Sequence, residues 1–472
     1  SSKKYSALRE SGWIYCGAST LIQPTAASLW EAFNPGYKTV KEIKIGILGF
    51  GTVGAGVVEG IQQNGVLMAE RTGINPVVAR IADLDTTSDR GVELPQSILT
   101  TDAMEVIADD GIDLIVELIG GTTVARTFIL EALKRGKPVI TANKALLADH
   151  GEEIYRAARD NRTGVYYEAA VGGGIPILRS QRAGLIGNHI ESIYGILNGT
   201  CNYILTRMER EGLPFDDILA DAQKLGYAET PPDLDINGDD TAHKAVILAS
   251  MAYGAPVPMS ACATKGIRNL SVQEITNADE LGYRIKLLAV IRDINGEIEL
   301  SVEPTLVPRD HMIASVSDVF NAVFVKGDIV GDTMYYGRGA GRLPTGSAVI
   351  GDIMEAAANK LNGGGVPVSV TTMLQKDALQ YCSSETIEKR CYVRLSLLDK
   401  PGSLGKVMDI FGNNNISIAS VVQKERHEEG FAPVVVLTHK AKEADFTAAM
   451  KQIVKLDVND AEPVRMRLED FE

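Results

Sequence analysis

The stretch "IKIGILGFGTVGAGVVEG", residues 43–60, decides the fold. Its apolar first half predicts a buried strand, and its second half predicts a helix that begins with glycines. The junction has the spacing GxGxxG, in which the glycines permit a tight turn, close approach to a pyrophosphate, and close helix–strand packing. The helix N-terminus adds N–H groups and a positive dipole. We therefore predict dinucleotide binding, rather than a merely structural turn, at Gly49, Phe50, Gly51, Thr52, Val53 and Gly54.

The acidic end of the next apolar run bears on the choice of dinucleotide. "PVVARIADLD" (76–85) is predicted to be a second strand that ends at Asp83 or Asp85. A carboxylate there accepts hydrogen bonds from the ribose hydroxyls of NAD and repels the 2′-phosphate of NADP. Arg80 and Arg90 are close in sequence and would have the opposite effect. The sequence thus leans to NAD and leaves NADP open.

Strands alternate with helices as far as about residue 165, which indicates an α/β, Rossmann-type doubly wound parallel sheet. From "YYEAAVGGGIPIL" (166–178) the chain becomes glycine-rich and apolar, and a second, mixed α/β domain is expected. "SETIEKR" (384–390) is a polar break. After it, six segments follow in the order strand, helix, strand, strand, helix, strand, which predicts a C-terminal βαββαβ domain.

Composition excludes several classes of function. The chain has 472 residues and a net charge of −14, so binding to nucleic acid or to an anionic membrane is not expected. Five scattered cysteines without a CxxC motif are typical of a reducing, cytoplasmic location and argue against structural zinc. The uncharged run 245–263 is broken by Gly254, Pro256 and Pro258, so it predicts a buried helix followed by a loop rather than a membrane span.

The acidic stretch "YAETPPDLDINGDDTAHK" (227–244) ends in a single lysine. Asp240 and Lys244 are four residues apart on a predicted helix, and by spacing alone they form an ordinary surface ion pair. Lys244 also leads into the most apolar run of the chain, where a buried lysine needs a carboxylate partner. We therefore predict that Lys244 donates a proton to a carbonyl oxygen during hydride transfer, and that Glu229 accepts hydrogen bonds from a substrate ammonium.

These residues resemble those of the homoserine dehydrogenase family. "GFGTVG", "VELIGG", "TANKALLA", "EAAVGGGIPI", "NGTCNYIL" and "GYAE…DINGDDTAHK" occur in the family's order within residues 43–380. The C-terminal part resembles an ACT domain, for which "LLDKPGSLGKV" (397–407) is the usual opening. The resemblance implies reversible reduction of L-aspartate 4-semialdehyde to L-homoserine with NAD or NADP, in threonine and methionine biosynthesis. It also implies a homodimer or a higher homo-oligomer.

The resemblance further implies a role for individual residues. It makes Lys244 the proton donor, Lys144 a second lysine beside cofactor and substrate, and Glu229 and Asp240 the carboxylates that bind substrate. The remaining implied residues are a sodium site at Glu168, Val171, Gly173 and Ile175 and cofactor contacts at Gly120, Lys144, Gly226 and Gly341.

The expected division of the chain follows from the composition and the resemblance together. Its parts are an N-terminal extension of unknown role (1–40), a dinucleotide-binding domain (41–165), a substrate-binding and dimerisation domain (166–345), a segment that returns to the dinucleotide-binding domain (346–383) and an ACT-like regulatory domain (389–472). The regulatory domain is expected to bind an amino-acid effector such as threonine.

Two other functions compete with this one. A semialdehyde dehydrogenase that forms an acyl phosphate needs an activated cysteine, and Cys201 is the one candidate in the catalytic region. An amino-acid sensor on an inactive dehydrogenase fold would suit the C-terminal domain. The intact set of Lys144, Glu229, Asp240 and Lys244 argues against such an inactive fold.

Overall fold

The computed structural model describes residues 40–376, 378–423 and 430–471, so the predicted N-terminal extension lies outside the described residues except for Val40. The described chain divides into two compact units. The first comprises the chain through Leu146, Glu152–Ala170 and Gly341–Thr371. The second comprises Leu147–Gly151, Val171–Ala340 and the chain from Thr372 onward.

Strands and helices are numbered in chain order within the described residues. The strands are β1 Lys41–Leu48, β2 Ile74–Ala82, β3 Leu99–Thr100, β4 Leu114–Glu117, β5 Val139–Thr141, β6 Val165–Tyr166, β7 Ile190–Ile196, β8 Ala263–Thr264, β9 Tyr283–Ile294, β10 Glu297–Pro308, β11 Phe320–Gly327, β12 Gly331–Arg338, β13 Gln380–Tyr381, β14 Glu388–Leu398, β15 Ile418–Gln423, β16 Phe431–Thr438, β17 Ala441–Lys442 and β18 Val464–Leu468.

The α-helices alternate with these strands in the first unit and are more irregularly placed afterwards. They are α1 Thr52–Thr72, α2 Ala103–Ala108, α3 Val124–Lys134, α4 Lys144–Asp160, α5 Ile177–Arg179, α6 Gly199–Glu211, α7 Phe215–Lys224, α8 Asp233–Ile236, α9 Asp239–Tyr253, α10 Val272–Glu280, α11 Arg342–Leu361, α12 Val368–Met373, α13 Ser403–Asn413 and α14 Glu443–Ile453.

The first unit contains a six-stranded sheet in the order β3-β2-β1-β4-β5-β6. All of its strand pairs are parallel, and the central strands are buried through residues such as Ile45, Ile47 and Val116. The predicted Rossmann-type sheet is therefore confirmed. Strand β1 ends at Leu48, two residues before the apolar run does, because Gly49 turns the chain with a φ of 96°.

Helices α1 and α11 pack closely in the first unit because each contributes a glycine. A side chain on Gly56 would place its Cβ 2.3 Å from the backbone oxygen of Arg342. A Cβ on Gly346 would lie 2.9 Å from the backbone carbon of Gly56. Contacts this short cannot be relieved by rotating a side chain, since they involve backbone atoms. The segment 342–361, far along the chain, is thereby held against the helix that follows the glycine loop.

The second unit is built on one long sheet in the order β12-β11-β7-β9-β10-β18-β14-β16-β15. Its C-terminal part is the predicted βαββαβ fold, formed by β14, α13, β15, β16, α14 and β18, with the two-residue β17 added before α14. The last strand, β18, pairs in parallel with β10 through Thr305 and Arg467. The C-terminal domain thus extends the sheet that precedes it in the chain.

Helix α9 contains the first nine residues of the uncharged run 245–263, which raised the question of a membrane span. It ends at Tyr253, and Gly254 follows in the left-handed conformation with a φ of 81°. The helix followed by a loop is therefore as predicted. Among the described helices, none combines the length and apolar composition that crossing a membrane requires.

The packing of α1 on α11 predicts opposite effects for two glycine-to-alanine substitutions in one helix. Gly56→Ala should lower the free energy of unfolding by roughly 1–3 kcal/mol, because its methyl group overpacks the contact with Arg342. Gly65→Ala has nothing within 4 Å of its new Cβ, and it should raise stability by up to about 1 kcal/mol through helix propensity. Thermal unfolding of the two variants measures this, and equal melting temperatures would contradict the packing argument.

Candidate active site

Three glycines at the start of α1 meet three different requirements. Gly49 has a φ of 96°, and a Cβ there would lie 2.6 Å from the backbone of Leu118 at the end of β4. A Cβ on Gly54 would lie 2.4 Å from the oxygen of Gly49. At Gly51 a Cβ would meet nothing within 4 Å. The first and third glycines thus serve turning and packing, and the second presents bare backbone to open space where a pyrophosphate can approach.

Carboxylates occupy the end of β2 beside this loop. Asp83 accepts hydrogen bonds from the backbone N–H of Phe50 (2.5 Å) and of Asp85 (2.9 Å). Asp85 accepts from Thr87 and Ser88. The hydrogen bonds from Ser88 hold the pKa of Asp85 well below its usual range. Asp83 therefore anchors the glycine loop, and Asp85 stays ionised at the position where a ribose is expected.

Both arginines near this strand end are paired with carboxylates. Arg90 lies 3.0 Å from an oxygen of Asp85, and Arg80 forms an ion pair with Glu105. A guanidinium that already bonds a carboxylate is less available to a 2′-phosphate. The pairing bears on the choice between NAD and NADP that the sequence left open.

A buried glutamate connects the turn after β4 to the start of α4. Glu117 accepts hydrogen bonds from the N–H of Gly120 (3.1 Å) and from the hydroxyl of Thr141 (2.7 Å), and its burial raises its pKa. The Thr141 hydroxyl in turn accepts from the N–H of Asn143, whose side chain caps α4. Lys144 is the first residue of that helix. Gly120 and Lys144 are thus fixed by one network within the first unit.

Lys244 lies near the start of α9 in the second unit and is 8% exposed. Its ammonium donates to Asp240 Oδ2 at 2.7 Å and to the backbone oxygen of Leu197 at 2.6 Å. Helix α9 begins at Asp239, more than one turn before Lys244, because Gly238, with a φ of 93°, turns the chain there. Asp240 and Lys244 therefore form a buried ion pair, and not the solvated pair that their i,i+4 spacing alone favours.

Two further residues belong to this cluster and were missed in the sequence. Asn198 donates to Asp235 (2.7 Å) and to Asp240 (2.9 Å), while its own oxygen accepts from the N–H of Cys201 and caps α6. Burial raises the pKa of Asp235, and the charges of Asp240 and Glu229 raise it further. The sequence signal that could have identified Asn198 is the Asn-Gly-Thr after an apolar run, which is a common helix start. For Asp235 the sequence offered no signal beyond its place in the acidic stretch.

The other predicted residues of the second unit lie on the loop before α8. Glu229 is exposed, and its backbone oxygen accepts from Gln223 at 3.1 Å. Gly226 has a φ of 73° and open space around its Cβ position. Gly341, in the first unit, has a φ of 120° and caps α11. The structure brings Lys244 and Asp240 together with Asn198 and Asp235, and leaves Glu229 facing solvent on the adjoining loop.

The residues implied for sodium fall in both units. In the first unit Glu168 is 3% exposed, and its N–H donates to Asp352 at 2.7 Å. In the second unit the turn at Gly173 has a φ of 54°, and a Cβ there would lie 2.4 Å from the oxygen of Gly339. A buried carboxylate and a glycine turn rich in carbonyls are the kinds of ligand that a hard cation takes. Within the described residues, no three His, Cys, Asp or Glu side chains form a metal-binding group.

Cys201 is unsuited to nucleophilic catalysis. Its side chain is fully buried, and its thiol donates to the backbone oxygen of Asp235 at 3.2 Å. Burial raises the pKa of the thiol well above its usual value, and the charges of Asp235 and Asp240 raise it further. The nucleophile in acyl-enzyme chemistry is the thiolate. The structure therefore disfavours the acyl phosphate-forming alternative.

The burial of Cys201 predicts that this thiol is neither reactive nor needed for turnover. Under native conditions at neutral pH, iodoacetamide should label the half-buried Cys382 before Cys201, as followed by peptide mass spectrometry. Cys201→Ala should retain turnover, with kcat within about threefold, because the thiol contributes at most one weak hydrogen bond. Loss of turnover by orders of magnitude in Cys201→Ala would restore the thiol-based mechanism.

Comparison with protein families identifies three matching segments. Residues 176–354 match the family described as homoserine dehydrogenase. Residues 49–168 match the homoserine dehydrogenase NAD binding domain, and residues 392–458 match the ACT domain. The three segments follow the order expected from the sequence motifs.

Relatives and solved structures are similar over most of the chain. A homoserine dehydrogenase of Neisseria gonorrhoeae is 40% identical over 92% of this chain and 100% of its own length. One from Synechocystis is 43% identical over 88% and 96%, respectively. The crystal structure of a homoserine dehydrogenase from Thiobacillus denitrificans superimposes with a TM-score of 0.85 and 40% identity, covering 92% of this chain and 99% of that one.

Proposed function

The chain belongs to the homoserine dehydrogenase family, and on that premise we propose how its own residues carry out the family's reaction. It is an NAD(P)-dependent oxidoreductase, and the reaction interconverts L-aspartate 4-semialdehyde and L-homoserine. The nicotinamide supplies the hydride chemistry when bound. The residues of the chain bind and orient the reactants and supply the proton.

We propose that Lys244 donates the proton to the aldehyde oxygen of the substrate. Negative charge grows on that oxygen as the carbonyl carbon is reduced, so an adjacent ammonium lowers the barrier as acid and as cation. The single observation that carries the proposal is the burial of Lys244 against Asp240 at 2.7 Å. Asp240 and the Leu197 carbonyl together hold the side-chain nitrogen of Lys244 in one position.

Asp240 and Asn198 hold this lysine in position. Asn198 donates to Asp240 Oδ2, the same oxygen that accepts from Lys244, so the carboxylate is fixed from two directions. We propose that Asp240, Asp235 and the exposed Glu229 bind the substrate's ammonium group, since a cluster of carboxylates attracts a cation. Lys144, fixed at the start of α4, is proposed as the second lysine that acts on bound substrate and cofactor.

Lys244→Ala should retain the fold and nucleotide binding and lose turnover roughly 10²- to 10⁴-fold, the range for a lost general acid. Steady-state absorbance of the reduced nicotinamide measures turnover, and quenching of its fluorescence measures nucleotide binding. Lys286→Met is the matched control. Lys286 is also a buried lysine, 1% exposed, but its ammonium donates to Asn202 and to the Val316 oxygen.

The control variant should lose stability and retain kcat at moderate temperature, because its lysine holds a loop rather than a reactant. Turnover near the wild-type value in Lys244→Ala would remove the proton-donor role. Equal loss of kcat in both variants would mean that turnover reports only damage to the core.

We propose that NAD is preferred over NADP. Asp85 is ionised beside the glycine loop and repels a 2′-phosphate, and both Arg80 and Arg90 are engaged by carboxylates. A hyperthermophilic archaeal homoserine dehydrogenase, 27% identical with a TM-score of 0.56 over 67% of this chain, was solved in complex with NADPH.

Asp85→Asn should raise kcat/KM with NADPH about tenfold relative to NADH, because it removes the repulsion and releases Arg90. The ratio of kcat/KM for the two reduced cofactors, measured in wild type and variant, tests this. Glu105→Gln serves as control, since it releases Arg80 but leaves Asp85 charged. A wild-type enzyme that already favours NADPH would contradict the proposed preference.

The remaining features of the proposal concern the organisation of the protein. We propose cofactor binding by residues 41–165 and 346–383, substrate binding and homodimer formation by 166–345, and regulation by 389–472.

Sodium bound by Glu168 and the carbonyls of the 171–175 turn would stiffen that turn. The described cysteines are free thiols, which supports a reducing cytoplasmic location.

We propose an amino-acid effector such as threonine for the ACT domain, supported by the turn "DKPGSLG" (399–405) before α13. Gly402 caps that helix with a φ of 91°, which leaves backbone N–H groups open at the helix start. The alternative of a sensor without activity is disfavoured by the intact arrangement around Lys244.

A further inference from the structure

A long loop of the first unit separates β2 from the next helical turn. Strand β2 ends at Ala82 and that turn begins at Gln96, so the described residues 83–95 form a loop, called here the ribose loop. It carries Asp83 and Asp85, which stand where the ribose of the cofactor is expected. Irregular loops of this length in compact domains usually have a function, and their backbone is costly to order. The contacts that hold the ribose loop therefore bear on how the cofactor is bound.

The first half of the ribose loop is shaped by its own carboxylates. Asp83 accepts from the N–H of Phe50, which ties the start of the loop to the glycine loop. Asp85 accepts from the N–H of Thr87 at 3.1 Å and from that of Ser88 at 3.0 Å. These last two bonds close the loop on itself, so they shape the segment around Asp85 without fixing it against the helices of the unit.

The second half of the ribose loop is held by side chains from two helices. Arg342, the first residue of α11, donates from Nη1 to the backbone oxygen of Arg90 at 2.8 Å. Its guanidinium lies beside Gly91, where a Cβ would be 3.6 Å from Nη1. Gln62 of α1 donates to the backbone oxygen of Glu93 at 2.8 Å. Two side chains from outside the loop thus hold its backbone at two carbonyl groups.

Arg342 is itself fixed at both ends of its side chain. Its backbone oxygen and its Cγ would lie 2.3 Å and 2.9 Å from a Cβ on Gly56, so the base of the side chain is packed directly on α1. At the other end, Nε lies 2.8 Å from Glu59 Oε2 on the same helix. A guanidinium held between a carboxylate and a carbonyl is restricted in direction as well as in distance. Its contact with the ribose loop is therefore set before a cofactor arrives.

We propose that Arg342 is a positioning residue for the cofactor, which holds the ribose loop so that Asp85 meets the adenosine ribose. The inference rests on the proposed function, because it takes the end of β2 as the ribose site. A loop that is already ordered spares the cofactor the cost of ordering it on binding. The repulsion between Asp85 and a 2′-phosphate depends on the distance between them, so the same contact also sets the discrimination against NADPH.

The experiment compares the full-length wild type with Arg342→Met, which keeps the methylene groups that pack on Gly56 and removes the guanidinium. The KM for NADH should rise about three- to tenfold, while kcat and the KM for L-aspartate 4-semialdehyde stay within twofold. The inhibition constant of ADP-ribose, which carries the adenosine ribose but no nicotinamide, should rise by the same factor as the KM for NADH. The ratio of kcat/KM for NADH to that for NADPH should fall, because the loosened loop repels the 2′-phosphate less.

Two further variants and a control separate positioning from general damage. Arg342→Lys keeps the charge and one donor and should lie between wild type and Arg342→Met. Gln62→Leu removes the other contact with the ribose loop and should raise the KM for NADH in the same way. Arg126→Met is the matched control, because it removes an arginine–glutamate pair between two other helices of the first unit, Arg126 of α3 with Glu153 of α4. It should leave the KM for NADH unchanged.

A joint rise of the KM for NADH and of the inhibition constant of ADP-ribose, with kcat retained, supports the proposal. It is overturned if Arg342→Met binds ADP-ribose as wild type does, even where its melting temperature falls, or if Arg126→Met shows the same rise. Should Arg342→Met fail to fold, Arg342→Lys and Gln62→Leu decide by the same comparison. Failure of the proposed NAD preference appears separately, as a wild-type kcat/KM that favours NADPH, and failure of the proton-donor role appears in Lys244→Ala.

Discussion

A buried lysine near the start of an apolar helix is the constraint on which the site depends. Lys244 is buried at the start of α9, where an isolated ammonium would be costly. Asp240, one turn earlier, and the Leu197 carbonyl supply the compensation. The carboxylate in turn is held by Asn198, which also caps α6. The end of β7, the start of α6 and the side chain of Lys244 are thus fixed by one set of hydrogen bonds.

The glycine loop and the helix after it are constrained differently, because several positions there have no room for a side chain. Gly49, Gly54 and Gly56 each stand where a Cβ would lie 2.3–2.6 Å from backbone atoms. These contacts set the turn after β1 and bring α11 against α1 from nearly three hundred residues away. The hydrogen bonds that Glu117 accepts from Gly120 and Thr141 then connect the turn after β4 to the first turn of α4, which begins with Lys144. Rigidity here comes from packing, and at Lys244 it comes from charge.

The C-terminal domain continues the long sheet of the second unit through the pairing of β10 with β18. Parallel pairing between strands so distant in sequence is specified by burial on both faces rather than by a turn. Arg467, 1% exposed on its side chain, lies at the junction with Glu299 and Glu469.

The sequence by itself determined the two α/β folds, the glycine loop, the βαββαβ tail and the residue pair Asp240 and Lys244. These are local signals: apolar periodicity, glycine spacing and an i,i+4 distance. The apolar run after Lys244 also predicted its burial, which the structure confirms. Tertiary structure alone decided that Cys201 is inert and that Asn198 and Asp235 join the lysine. Those outcomes depend on which distant segments desolvate a group, and a spacing in the chain carries no information on that.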